Sequence, residues 1–148
     1  PTFCDPELYP DLTLWIPLED IGAGDGELVV VEGTHRSYNK LNLLTYTPDY
    51  IHQYKDGDGK VLYQQKGYPV LFYNHLLHAS RPVVNKQVRL AISLKLAHKD
   101  ALLYSYYKST VPGMAERYKQ SPNFFLSQDW QPFDRPQQSK FDKEIPIR

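Results

Sequence analysis

A mainly β domain of the sandwich or barrel type is what this sequence predicts. Three observations lead there. Short runs of β-branched and aromatic residues recur along the chain. Clusters of glycine, proline and aspartate separate them. Twelve tyrosines and 6 phenylalanines supply the aromatic side chains that a pleated, half-buried surface favours. Many short strands punctuated by turn signals are the pattern of an all-β sandwich, jelly roll or barrel.

Residues 12–18 (LTLWIPL) alternate and carry β-formers, so they predict a strand, with Pro17 placing its end at a sheet edge or bulge. Residues 21–26 (IGAGDG) are a turn, because glycine and aspartate tolerate positive φ. Residues 27–31 (ELVVV) predict a second strand, which Gly33 stops, and Thr34-His35-Arg36 begin a loop. Residues 37–58 are polar and tyrosine-rich, and predict an irregular excursion with a short helix over 48–54.

Asp56-Gly57-Asp58-Gly59 signals a turn; as a calcium loop it lacks the remaining spaced ligands and the terminal glutamate. Residues 60–65 and 68–74 predict strands, and 88–96 (VRLAISLKL) show the clearest alternation in the chain. Residues 100–108 fit either a helix capped by Asp100 or an extended segment. From Val111 proline, glutamine, serine and aromatics dominate, predicting a loop-rich tail over 111–148, pinned by Phe124, Phe125, Trp130 and Phe133. The expected organisation is one domain over 1–110 with that tail packed on it.

The chain has 148 residues, enough to bury a core without crosslinks. Its 17 basic and 17 acidic residues cancel, with no long like-charged block, which argues against a nucleic-acid partner. Cys4 is the only cysteine, so an internal disulfide and a cysteine-based zinc site are excluded, and a reducing cytoplasmic location fits. No apolar run approaches the roughly 18 residues of a membrane span, and no signal peptide is visible. The sequence opens on Pro1 rather than Met, which leaves processing or truncation open.

Chemistry concentrates in residues 67–89, GYPVLFYNHLLHASRPVVNKQVR. A strand delivers His78 at its end, Ser80 follows, and Arg89 comes 11 residues after His78 on the next strand. A hairpin between those strands would return Arg89 to His78. Imidazole suits Fe(II), and guanidinium clamps a carboxylate through two parallel bonds. A metal-chelated 2-oxo acid needs both. Taken alone, a histidine and an arginine on neighbouring strands are more often unrelated than partnered.

Gly67, Val70-Leu71-Phe72, Leu77-His78-Ala79-Ser80 and Arg89 together resemble the late motif of the phytanoyl-CoA dioxygenase family. The earlier blocks Trp15-Ile16-Pro17-Leu18 and Gly26-Glu27-Leu28-Val29-Val30-Val31-Glu32-Gly33-Thr34-His35 resemble it too. The resemblance covers residues 1–110. It implies a cupin-like double-stranded β-helix, incomplete at its N-terminus, and an oxygenase that uses Fe(II) and 2-oxoglutarate to hydroxylate a small organic substrate. His78 would be the distal iron ligand, Arg89 would hold the far carboxylate of 2-oxoglutarate with help from Ser80, and Trp15 would line that pocket.

One departure stands out. The family's His-x-Asp ligand pair should precede the Trp15 strand, and no His-x-Asp occurs in this sequence. In one alignment Pro1-Thr2-Phe3-Cys4-Asp5 follows that pair, and the remaining ligands lie upstream of Pro1. In another, Phe3-Cys4-Asp5 replaces it and the histidine is lost. The rival class is therefore a jelly-roll binding or structural module without iron chemistry, and a halogenase variant stays open. Of the other histidines, His75 is expected to point away from His78 and His35 to fix its loop, while His52 and His98 have no motif around them. Neither the substrate nor the oligomeric state is legible.

Overall fold

Alternation along residues 11–17 creates the strand on which the sheets are built. Every second residue there is buried, Asp11, Thr13, Trp15 and Pro17, with half-buried residues between them. The structure is a computed structural model and describes residues 4, 5, 8–37, 57–86, 88–121, 123 and 143–146. Among them run β1 (Asp11–Pro17), β2 (Leu28–Val30), the single helical turn α1 (Thr34–Ser37), β3 (Lys60–Leu62), β4 (Val70–Tyr73), β5 (His78–Ser80), β6 (Ala91–Ala97), β7 (Leu103–Lys108), β8 (Met114–Gln120) and β9 (Lys143–Pro146). The protein is thus mainly β, as the sequence predicts. No helix of the described residues is long and apolar enough to cross a membrane.

The chain divides into two compact units, one of Leu12–Tyr38 with Asp49–Leu96, the other of Pro1–Asp11, Asn39–Pro48 and Ala97–Arg148. The first unit holds two sheets, ordered β4-β1-β6 and β3-β2-β5. In the first sheet Thr13 pairs with Phe72 and Trp15 with Val70, so these four side chains share a face; Leu12 with Tyr73 and Leu14 with Leu71 share the other. In the second sheet Leu28 lies between Leu62 and Ser80, and Val30 between Lys60 and His78. The buried cluster Trp15, Phe72, Leu28, Val30 and Ile21 joins the inward faces of both sheets, with Leu62, Val70, Leu76 and Ala91 packed against it. Fully burying each large side chain of this kind stabilises by about 1.5–3 kcal/mol.

The first sheet has a second apolar face. Lys95 hydrogen-bonds to Thr13 and Asn74, which fixes it inward, so its neighbours Leu94 and Leu96 point outward, as does Ile92. Leu71 is 57% and Leu94 45% exposed. Leucine and isoleucine therefore occupy the outward side of β6, and serine and lysine the inward side.

In the second unit β7, β8 and β9 form one antiparallel sheet in sequence order. Tyr104, Tyr106, Tyr107 and Tyr118 are buried on it. The Tyr106 hydroxyl donates to the Cys4 carbonyl at 3.1 Å, and the Arg117 guanidinium lies 4.3 Å over the Tyr104 ring. Cys4 is a free, buried thiol, pushed up to about 12 by burial and then by Asp11 and Asp5, so it stays protonated and unreactive.

Several expectations change. Residues 103–108 are strand β7, settling the choice over 100–108 against a helix. The loop-rich tail expected over 111–148 contains β8 and β9. Charged residues hide the alternation there: Glu116 is buried and accepts from the Tyr118 hydroxyl at 2.8 Å, and Arg117 covers a ring. Pro112-Gly113, with Gly113 at φ +75°, turns the chain from β7 into β8. Thr34-His35-Arg36, read as loop, belong to α1. The helix expected over 48–54 and the anchors Phe124, Phe125, Trp130 and Phe133 lie outside the described residues.

The two faces of the first sheet should respond differently to substitution. Phe72→Ala is expected to cost about 3–5 kcal/mol, as for other buried aromatics. Leu94→Glu, on the outward face, should stay within about 0.5 kcal/mol. Urea unfolding of both variants checks this; similar losses would mean that the inward and outward faces are misassigned.

Candidate functional site

His78 does not end the strand before it. Strand β4 stops at Tyr73, a turn follows, and His78 opens β5 in the other sheet. The expected hairpin between the His78 and Arg89 strands is absent: β5 pairs with β2, while β6 neighbours β1. Arg89 itself precedes β6. His78 and Arg89 nevertheless meet the same buried cluster, because the two sheets face each other across it.

His78 is directed inward by its pairing with Val30, and its ring packs edge-on to Phe72 at 4.7 Å between centroids. Its Nδ1 lies 2.7 Å from the Leu76 carbonyl. A carbonyl only accepts, so Nδ1 carries the proton and the neutral ring keeps a lone pair on Nε2. His78 is exposed with the rest of β5, and the protein packed on one side of its ring costs it part of its hydration. Desolvation lowers its pKa, the Leu76 bond opposes that, and the positive charge of Lys95 lowers it further. A neutral ring whose Nε2 lone pair is free at neutral pH is the form that ligates a metal.

Arg89 lies over the indole of Trp15, 5.4 Å from the ring centroid, and its Nη1 donates to the Gly26 carbonyl. A cation over a partly desolvated indole is worth about 0.5–2 kcal/mol. Gly26 is needed for this approach. Its φ is +84°, and a Cβ there would meet Val83 Cγ2 at 2.7 Å, with Arg81 O and Arg89 Cδ both at 3.4 Å. Ser80 pairs with Leu28 and faces the same way as His78. The Arg81 amide that follows donates to the Glu27 carbonyl at 2.9 Å, tying β5 to the glycine-rich loop.

Glu27 is buried in that loop, where Oε1 accepts from the Gly24 amide at 3.0 Å and Arg81 Nη1 lies at 4.0 Å. Its own amide and that of Gly24, more than Arg81, hold its carboxyl below the usual range. A cleft of about 760 Å³ borders His78, Ser80, Glu27 and Arg81. It also borders Val29 and Val31, and neither Trp15 nor Arg89 lines it. It therefore reaches the site from the β5 side rather than containing it.

The inward face carries three residues that motif reading missed. Lys95 Nζ donates to Thr13 Oγ1 at 2.5 Å and to Asn74 Oδ1 at 2.9 Å, and the Thr13 hydroxyl donates to Asn74. The alternation of 88–96 placed the strand, but its apolar phase predicts the leucines and isoleucine inward, so no signal in the sequence marked Lys95.

The other described histidines, His35, His75 and His98, pack against neighbouring rings or backbone. His75 sits in the turn after β4 rather than on a strand; its Nε2 donates to the His35 carbonyl at 3.0 Å, and His35 stacks on Tyr73 at 5.2 Å. His98 stacks on Tyr9 at 5.1 Å. His52 and Phe3 lie outside the described residues. Asp5, the carboxylate of the second alignment, pairs with Arg117 at 3.9 Å in the other compact unit.

Among the described residues no group of three or more His, Cys, Asp or Glu could hold a metal. His78 fits iron as a single ligand, and the described residues alone do not complete an iron centre. No family model, curated protein or solved structure matches the chain.

A pH titration follows from the His78 environment. Its folded pKa lies below the usual value near 6.5, so the unfolded chain binds the proton first. Its contribution to stability is complete above that value and is lost as pH falls through the folded pKa. NMR titration of the His78 ring should give a midpoint below that of a model histidine, with the neutral ring protonated at Nδ1. A midpoint above it, or a proton on Nε2, would contradict the described environment.

Proposed function

We propose that this chain is the C-terminal part of an oxygenase of the phytanoyl-CoA dioxygenase type, which uses Fe(II) and 2-oxoglutarate to hydroxylate a small organic substrate. The observation that supports it most is the shared inward face. A histidine in the metal-ready tautomer rests on Phe72, and an arginine rests on Trp15, within one layer between two sheets.

The topology supports a double-stranded β-helix. From β1 to β6 the chain passes back and forth between sheets ordered β4-β1-β6 and β3-β2-β5, with β2 and β3 following one another in the second sheet as an antiparallel pair. Strands β5 and β6 are the end strands of these sheets among the described residues. In this reading two further strands, from residues N-terminal to Pro1, pair at those edges. A His-x-Asp pair on the strand beside β5 would turn both side chains inward, since strand side chains repeat every two residues, and bring them to His78.

Each residue then has its own task. His78 offers Nε2, and the Leu76 carbonyl holds the ring so that this nitrogen stays unprotonated. Arg89 binds the far carboxylate of 2-oxoglutarate, its position set by the indole beneath it and by Gly26. Ser80 contributes a hydroxyl from the same face of β5. Iron supplies the oxidative chemistry, and the protein supplies binding, orientation and exclusion of water.

The test uses the protein with its N-terminal residues present. 2-Oxoglutarate should be converted to succinate only when Fe(II) is added. Arg89→Met should weaken 2-oxoglutarate binding by ~2–4 kcal/mol, roughly 30- to 1000-fold, as for loss of a charged partner. Unchanged affinity in that variant, or no Fe(II)-dependent turnover at all, would favour a binding module instead.

A further inference from the structure

We infer that Gln64, with Tyr63 and Tyr68, forms a second binding site, for a small, neutral, planar ligand that carries an N–H donor beside an acceptor, as a lactam ring does. The site lies on the β3 side of β2, whereas His78 lies on β5 at its other side. It does not rest on the oxygenase reading.

Pairing turns Gln64 inward. It bridges Ile21 in antiparallel fashion, so the two side chains share a face, and Ile21 belongs to the buried cluster around Trp15. Leu62, two residues earlier and on the same face, packs against that cluster too. Gln64 is only 9% exposed, and among the described residues neither its Nε2 nor its Oε1 has a hydrogen-bond partner. Buried amides are normally paired, and an unpaired one costs stability that a leucine or methionine in its place would not.

The backbone nearby is already paired. Ile21 takes both the amide and the carbonyl of Gln64, at 3.1 and 2.8 Å. The Lys66 amide donates to Asp20 Oδ1 at 2.8 Å, the Gly67 amide to the Pro17 carbonyl at 2.8 Å and the Tyr68 amide to the Gln65 carbonyl at 3.1 Å. These bonds fix the connection from β3 to β4 and leave the Gln64 side chain to a partner from outside the chain.

Gln64 borders an open cleft of about 600 Å³, with Ile21, Val70, Asp20, Tyr63 and Tyr68 around it. Val70 pairs with Trp15, so Val70 and Ile21 mark the inward side of the cleft. Tyr63 and Tyr68, 64% and 69% exposed, mark its solvent side. A glutamine amide offers a donor and an acceptor in one plane and is met by a group with the complementary pair. Exposed tyrosine rings favour a flat partner that stacks on them. Among the described residues Asp20 is the charged side chain lining the cleft, which disfavours an anion. Both amide atoms of Gln64 are covered, so binding includes a rotation of its side chain toward the cleft.

The test is an NMR titration of the chain with 2-pyridone and with N-methyl-2-pyridone, which keeps the ring and carbonyl but has no N–H. 2-Pyridone should bind roughly tenfold more tightly, the worth of one hydrogen bond, and should shift the Gln64 side-chain amide and the Tyr63 and Tyr68 rings. Gln64→Met should level the two affinities without lowering the urea midpoint of unfolding, because the variant buries no unpaired amide. Tyr63→Leu combined with Tyr68→Leu should weaken both ligands alike.

Equal binding of the two pyridones by the unmodified chain, or no binding of 2-pyridone, overturns the inference, as does a preference that survives Gln64→Met. A fall in the urea midpoint of Gln64→Met overturns it too, since the amide would then be paired within the protein. Binding that ignores the two tyrosine replacements has the same consequence.

Discussion

Trp15 and Phe72, packed between two sheets, are the centre on which the unit of β1 to β6 depends. They come from neighbouring strands of one sheet and meet Leu28 and Val30 from the other. Each also has a polar residue laid against it, Arg89 on the indole and His78 at the phenyl ring. The same burial that stabilises the unit therefore sets the spacing of its two chemically distinctive side chains. A shift of one residue in the β1–β4 register would turn either the Trp15 set or the Phe72 set outward and take that ring away from its polar neighbour.

The polarity of the first sheet carries a second lesson. A two-layer β protein usually keeps apolar residues inside and polar ones outside. Here β6 and β4 are apolar outward, at Ile92, Leu94, Leu96 and Leu71, while Lys95, Thr13 and Asn74 face inward as a hydrogen-bonded polar group. An inward face that mixes a cluster of aromatic and aliphatic residues with a fixed ammonium resembles the lining of a binding cleft more than a sealed core. The outward face is an apolar area of the kind that marks contact surfaces.

Much of the fold was legible because it rests on local pattern. Alternation located β1 and β6, short runs of strand-forming residues between turn signals located β2 and β4, and the glycine-rich turn before β2 was readable from its composition. What failed was pairing. The distance from His78 to Arg89 in sequence suggested a hairpin, yet the strands go to different sheets, and sequence spacing carries no information about which edge a strand joins. Strand β8 was missed because a buried glutamate and an arginine over a ring disguise its inward positions. His78, Ser80, Arg89 and Trp15 were named from a family resemblance. Lys95 was not, since a lone lysine in an alternating run gains meaning only once Thr13 and Asn74 are seen across from it.

The proposed site requires that His78 and Arg89 face one layer. Nuclear Overhauser contacts of their side chains measure that in solution. The His78 ring should show contacts to the Phe72 ring, and the Arg89 δ-methylene to the Trp15 indole. Contacts of His78 to the Val29 side chain, or of Arg89 to Leu14 or Ile16, would place one of them on the outward side and contradict the shared site.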